Sequence, residues 1–479
     1  MTGVLGKTCP LLVSCLVLLL TGCEGKVAQV EDVPNPCGPT GMTPYDYKQL
    51  LCMSYVFYEA QRSGKLPDEQ RLTWRKDSAL GDGSDVGLDL TGGYFDAGDF
   101  VKFLLPQAFT TTLLSWSLID FTDGHEAAGQ TEYARATIKW ATDFLLKCHT
   151  GPYEFYGQVG DGHIDHQFWG RPEEMTMERP SYKIDFDNPG SELAGEAAAA
   201  LAAASIVFQD VDPDYSAEVL AAAKELYTFG DERREYYHVS IPEVQDFYKS
   251  WSGYGDELCW GALWLYRATG DDFYLTRARD HWVEFNLTEM PREFSWDYKM
   301  LGVYALFTML DDDQLYHDTL VEGLSHFQNN FPYTPGGLVY IQYWGSNRHS
   351  ASVAYIALLA AKLGIDTEVN QEWGAGQIDY MLGSTLHSFV VGYGENAPER
   401  VHHAAASCPD LPEVCDPEWA LTQSGPNPQT VWGALAGGPD ENDVFVDDRE
   451  DYVHNEIALD YNAGYTAALA AMIELHTQE

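Results

Sequence analysis

Positive charge is what this chain has least of. Its 28 lysines and arginines stand against 73 aspartates and glutamates, for a formal net charge of −45 at pH 7. The acids are scattered rather than gathered in a tail, so they read as a solvated surface that repels another polyanion. Nucleic acid is thereby excluded as a partner, whereas a neutral polysaccharide meets no such repulsion. After the leader, no segment is read as apolar enough to cross a bilayer. There is no G-x-S-x-G elbow, which counts against a serine hydrolase. The His402-His403 pair has no further histidine or cysteine ligands at suitable spacing, which counts against a catalytic metal. Alternating β-branched runs are few, and no Pro/Thr/Ser-rich linker marks a second module.

The N-terminus divides by composition. Residues 1–23 carry one basic residue, Lys7, then a short apolar run and small residues, and read as a secretory signal. Leu20-Thr21-Gly22-Cys23 also fits a bacterial lipobox, so anchoring through an acylated Cys23 stays open beside plain secretion. Residues 24–42, with Pro34, Pro36, Pro39, Gly38 and Gly41, read as a linker, and residues 43–479 as one large domain. Three of the nine cysteines lie in the leader. The other six permit disulfides outside the cell, Cys408 with Cys415 being the favoured pair across the Pro409 and Pro412 turn; six buried thiols is the alternative.

Helical spacing dominates the rest of the chain. Ser191 is placed as the N-cap of an alanine-rich helix that opens with Glu192. A degenerate repeat recurs four times: a helix ends in an acidic turn and a second helix opens on Tyr133, Tyr215, Tyr274 or Tyr316. Such hairpins cannot bury an apolar face alone and must stack. The expected fold is all-α, a closed toroid of helical pairs with a cleft formed by long loops at one end.

The chemistry starts at GGYFDAGD, residues 92–99, where Asp96 and Asp99 stand among glycines and aromatics. A solvated turn explains such a pair by default. Acid-base cleavage of an acetal would need a proton donor on the far side of the bond. Glu456, in DYVHNE just before the last apolar helix, is the candidate, set against the plain reading of a helix-start acid.

In order, LTGGYFDAGDFVKF, WGRPEEMTMERPSYKID, SWSGYGDELCWGALWLYRATGD, VGYGENAPERVHH, GALAGGPDENDVFVDDREDYVHNE and DYNAGYTAALA run through the chain. Together they resemble glycoside hydrolase family 9, the inverting endo-β-1,4-glucanases, especially the animal-type cellulases. The resemblance implies an α/α barrel of about six hairpins and a β-glucan substrate. It implies Asp99 as general base, Asp96 as a second holder of the water and Glu456 as general acid. Asp447 matches another active-site aspartate and His402 the substrate-binding histidine. His403 beside it, Tyr461, Trp344 and Trp296 are taken as substrate contacts, with Trp169, Trp251 and Tyr343 as further stacking candidates. SWSGYGDE resembles the family's calcium loop, so Ser252, Gly253, Asp256, Glu257 and the distant Asp297 are expected to hold a structural Ca²⁺.

This chain departs from the family at Ala404, where the family's His-x-Arg places arginine; Arg348 and Arg400 are the candidates to reach the vacated space. Lys76 and His163 depart too. A secreted monomer without protein partners is expected. The alternatives are a glucan-binding protein with little turnover and an exo-acting cellodextrinase.

Overall fold

The computed structural model describes residues 34–39 and 45–477. Twelve long helices organise them, and the helices alternate in character. The even-numbered ones are α2 (Leu104–Asp120), α4 (Ser191–Phe208), α6 (Gly255–Thr269), α8 (Met300–Leu310), α10 (Ser346–Lys362) and α12 (Leu459–Thr477). They are apolar over most of their circumference and mostly buried, as a helix without a polar face must be. The odd-numbered ones are α1 (Tyr47–Gln61), α3 (Thr131–Cys148), α5 (Pro213–Glu232), α7 (Asp272–Glu284), α9 (Gln314–Asn329) and α11 (Thr367–Met381). Apart from the largely buried α1, each keeps one face in solvent.

The even helices touch in the order α2, α4, α6, α8, α10, α12 and back to α2, a closed inner ring. Each is covered by the odd helix that follows it, and α1 covers α12. This is the toroid of helical pairs expected from the repeat, with the six hairpins that the family resemblance implied. Tyr133, Tyr215, Tyr274 and Tyr316 all sit in the first turns of outer helices; the last three are buried, while Tyr133 lies under the Arg71 guanidinium. Trp116, Trp260, Trp264 and Tyr355 meet edge to face at the centre, with ring centroids 5.4–5.7 Å apart, so the ring encloses a packed core.

Two details differ from the sequence reading. Gly190 rather than Ser191 caps α4; Ser191 is its first residue, and its Oγ accepts from the Glu235 N–H at 3.2 Å. α4 is also long and apolar enough to cross a membrane, with a mean hydropathy of 1.4, yet 89% of it is buried inside the fold. It is a core helix with neighbours on every side.

Inner helices pass to outer ones through short turns, at 209–212, 270–271, 311–313 and 363–366. Long segments return to the N-termini of the inner helices, at 62–103, 149–190, 233–254, 285–299, 330–345 and 382–458. The elaborate loops therefore collect at one end of the toroid. Among them is a small antiparallel sheet centred on β3, absent from the sequence reading: β1 (Lys102–Phe103), β2 (His149–Gly151), β3 (Glu154–Val159) and β4 (Ser181–Asp185).

Cys408 and Cys415 are bonded, as expected. Cys37 and Cys52 form a second disulfide, while Cys148 and Cys259 are buried thiols. The second bond changes the reading of the linker. Residues 34–39 are stapled to α1, where Gln49 Nε2 donates to the Gly38 and Pro39 carbonyls at 2.9 Å. The proposed signal, 1–23, and most of 24–42 lie outside the described residues.

Candidate active site

Sheet register explains how two distant loops come together. β1 and β3 pair antiparallel with Lys102 opposite Val159, so residues before Lys102 lie beside residues after Val159. The Asp96–Asp99 loop thus meets the loop carrying Asp165 and His166. The Phe100 N–H donates to Asp165 Oδ1 at 3.0 Å, and His166 Nε2 lies 3.4 Å from Asp99 Oδ2.

The third segment arrives through Gly98. A Cβ there would fall 2.3 Å from the His402 carbonyl oxygen, so the approach requires glycine. The Ala404 N–H donates to the Gly98 carbonyl at 2.9 Å, and the Gly98 N–H points at Glu456 Oε1 at 3.4 Å, across 358 residues of sequence. His402 and Glu456 are bridged side by side on parallel backbone. The Asp96 carbonyl accepts the N–H of Leu459, the first residue of α12. Asp96, Asp99 and Glu456 therefore belong to one site.

Their electrostatics differ. Asp96 is buried, and burial, then the charges of Asp99 and Asp460, hold its pKa well above the usual carboxylate range. The Tyr248 hydroxyl donates to Asp96 Oδ2, while Oδ1 has no protein partner. Burial pushes Glu456 up to about 8, with the Asp99 charge as the next contribution. The hydrogen bond to Asp99 raises His166 to about 9.

Aromatic groups form one wall. Trp169 and Tyr452 lie against the His402 ring at 4.8 and 6.0 Å, and Trp344 meets Tyr452 at 5.6 Å. His402 Nδ1 is 2.6 Å from the Arg449 carbonyl and must donate to it, which leaves Nε2 as the acceptor of a neutral ring; burial lowers its pKa. Tyr461 is buried beside Trp344, with the Arg348 guanidinium over its ring at 5.0 Å. Arg348 pairs with Asp460 at 2.9 Å.

Other sequence candidates lie elsewhere. His403 is 2% exposed and uses both ring nitrogens internally: Nε2 bonds Gln61 Oε1 at 2.9 Å, and Nδ1 accepts the Ala406 N–H at 3.0 Å. It has no face for a sugar. Gln61 Nε2 donates in turn to the Ala97 carbonyl at 2.7 Å, so the histidine steadies the loop of Asp96. Trp296 is buried with its ring 4.9 Å from Tyr248, which it props. Asp447 receives the N–H groups of Glu399 at 2.9 Å and Arg400 at 3.0 Å, clamping the segment that leads to His402. Trp251 and Tyr343 project into solvent, 72% and 58% exposed. Ala404 is packed with Phe95, Phe100 and Ala405. Of the two arginines named for its vacated space, Arg348 is at the site, whereas Arg400 is held by Asp447 and directed at the Ser424 carbonyl. Lys76 and His163 are exposed, the latter beside Asp246 at 3.4 Å.

The calcium candidates form an oxygen-rich group. Asp297 accepts the Trp251 N–H through both oxygens, Ser252 Oγ donates to the Asp297 carbonyl, and the Gly253 carbonyl faces Ser250 Oγ at 2.8 Å. Asp256 accepts the Lys299 N–H at 2.8 Å. Glu257 Oε1 is 3.3 Å from the buried Lys299 ammonium, but its Oε2 is buried without a partner.

Tyr248, Asp165 and His166 escaped the sequence reading. Adjacent acid and histidine after a glycine turn, in GDGHIDH, were a usable signal for the latter two; Tyr248 had none. Removing its hydroxyl takes away the hydrogen bond that holds Asp96, worth about 0.5–1.5 kcal/mol to a group that burial keeps from ionising. Tyr248→Phe is expected to lower kcat roughly two- to tenfold with KM little changed, which steady-state kinetics on cellohexaose would check.

Three acidic side chains gathered beside an aromatic wall at the loop end of an α/α toroid fit an enzyme that cleaves glycosidic bonds. The comparisons narrow this class. The sequence model of glycosyl hydrolase family 9 matches residues 47–469, and the chain belongs to that family. Endoglucanase A of Bacillus pumilus is 42% identical over 456 residues, covering 91% of this chain and 67% of that protein. The endoglucanase of the termite Nasutitermes takasagoensis, solved at pH 2.5, is 53% identical with a TM-score of 0.89, covering 90% of this chain and 99% of the other. The cellulase Cel9M of C. cellulolyticum in complex with cellobiose is 35% identical, with a TM-score of 0.84 and coverage of 90% and 99%.

Proposed function

We propose that this endo-β-1,4-glucanase hydrolyses internal bonds of cellulose or a related β-glucan with inversion, through Asp99 and Glu456. The observation that carries the reading is the convergence of Asp96 and Asp99 with Glu456 at one site. Asp99 takes a proton from the attacking water, and Asp96, whose Oδ1 is otherwise unpartnered, holds that water. Glu456, kept protonated by its surroundings, delivers its proton to the leaving oxygen. His402 Nε2 accepts a sugar hydroxyl, and Trp344, Tyr452 and Trp169 offer ring faces to pyranoses. Asp447, His403 and Trp296 act through the groups they hold. Cellobiose bound to Cel9M supports a glucan in this cleft. Ala404 supplies no guanidinium and is packed among apolar groups, while the acids needed for turnover are in place.

The test is the product pattern from cellohexaose. Cellobiose, cellotriose and cellotetraose should appear together at early times. Cellobiose released successively from one end would make the enzyme exo-acting, and binding without cleavage would leave a glucan-binding protein.

Ser252, Gly253, Asp256, Glu257 and Asp297 fit a Ca²⁺ ion, which wants hard oxygen ligands and would satisfy Glu257 Oε2. When bound, the ion supplies bracing. It would hold the loops bearing Tyr248 and Trp296, and through Tyr248 the position of Asp96. Chelation is therefore expected to lower Tm by about a few degrees and to reduce kcat, both restored by added Ca²⁺; unchanged calorimetric scans would contradict it. Two disulfides support a secreted protein.

A further inference from the structure

We propose that Asp99, Asp165 and His166 form a binding site for a borderline transition-metal ion of the Zn²⁺ class, and that its occupation switches hydrolysis off. One ligand atom from each residue lies within 4.8 Å of the other two. The Asp99 Oδ2 to His166 Nε2 separation of 3.4 Å matches the roughly 3.4 Å between two ligands about 2.05 Å from a tetrahedral zinc. Asp165 is 2% exposed, its Oδ1 is anchored by the Phe100 N–H, and its Oδ2 is buried without a hydrogen-bond partner. The nearest cation, Arg179, stands 3.8 Å from Oδ2 and is committed to Asp82 at 2.7 Å and to the Phe100 carbonyl at 2.8 Å. His166 is half exposed, so an ion can enter from the cleft.

Binding displaces the proton shared by His166 Nε2 and Asp99 Oδ2 into solvent, and one imidazole and two carboxylates then make a mixed nitrogen and oxygen set with a fourth position left for water, a composition that suits zinc or cobalt. Calcium needs more oxygens than these residues provide, and magnesium prefers an all-oxygen set to one with an imidazole. The ion would engage the lone pair with which Asp99 accepts the proton of the nucleophilic water. It would also set a double positive charge beside an oxocarbenium-like transition state. Both effects oppose turnover.

The inhibitory half of this inference rests on Asp99 being the base; the binding half does not. Titration of the full-length protein with Co²⁺, in excess Ca²⁺, separates them, since the visible absorption of tetrahedral cobalt reads binding without activity. The expected result is a tetrahedral spectrum with one ion per chain, displaced by Zn²⁺, with cellohexaose hydrolysis falling in step with occupancy. In His166→Gln and Asp165→Asn the affinity should weaken more than about tenfold, because even the loss of an outer partner costs ten- to a hundredfold. A cobalt spectrum that is absent, or equal in wild type and both variants, would overturn the site. Full hydrolysis by the cobalt-loaded enzyme would overturn the switch, and an enzyme inactive before metal is added would count against Asp99 and Glu456 instead.

Discussion

Glu456→Gln is expected to lower kcat on cellohexaose by about 10²–10⁴-fold, the usual contribution of a positioned general acid. The side chain keeps its shape and its place beside the Gly98 N–H, so KM should change little. The loss should be far smaller on an aryl β-cellobioside whose phenolate departs without protonation, a contrast that a merely structural glutamate would not produce. The pH profile follows from the same group. A general acid acts while protonated, and burial with the Asp99 charge pushes the Glu456 pKa up to about 8. Activity therefore holds through neutrality and falls as pH rises through about 8, one proton lost on the alkaline limb. An ordinary carboxyl would lose its proton near 4.5 and leave no acid at neutral pH. A measured kcat/KM profile falling already between pH 4 and 6 on that limb would contradict the assignment.

Asp99→Asn is expected to remove turnover by a comparable factor, about 10²–10⁴-fold, and in this variant a better leaving group should not help. A small anionic nucleophile such as azide, which needs no deprotonation, should restore part of the rate. The substitution has a second readout. His166 is raised to about 9 chiefly by its hydrogen bond to Asp99, so its imidazole should titrate at lower pH in the variant. An NMR titration of the histidine signals would show whether the contact exists in solution.

Much of this was legible in the sequence, for definite reasons. The acidic turn followed by a helix that opens on tyrosine is a local pattern, and its four copies imply stacked hairpins; closure into a ring depends on contacts far apart in sequence. Asp96, Asp99 and Glu456 could be named because short motifs surround them. Tyr248 could not: its bond to Asp96 spans 152 residues and arises only when the ring closes. The small sheet was missed because β1 and β2 are two and three residues long. His403 was misassigned by adjacency. Successive side chains on an extended segment point to opposite sides, so placing His402 at the cleft sends His403 into the core toward Gln61. Asp447 was placed in the right neighbourhood, but a carboxylate receiving two backbone N–H groups and Asn455 Nδ2 is occupied in holding chain.

Inversion by water held at Asp99 opposite Glu456 stands or falls on which anomer is released first, and proton NMR of cellohexaose during its first minutes with purified enzyme reads that out. The new reducing ends should appear as the α-anomer before mutarotation, and should vanish in Asp99→Asn. New ends appearing first as the β-anomer would mean a retained configuration and a covalent intermediate, and would contradict single displacement by a water at Asp99.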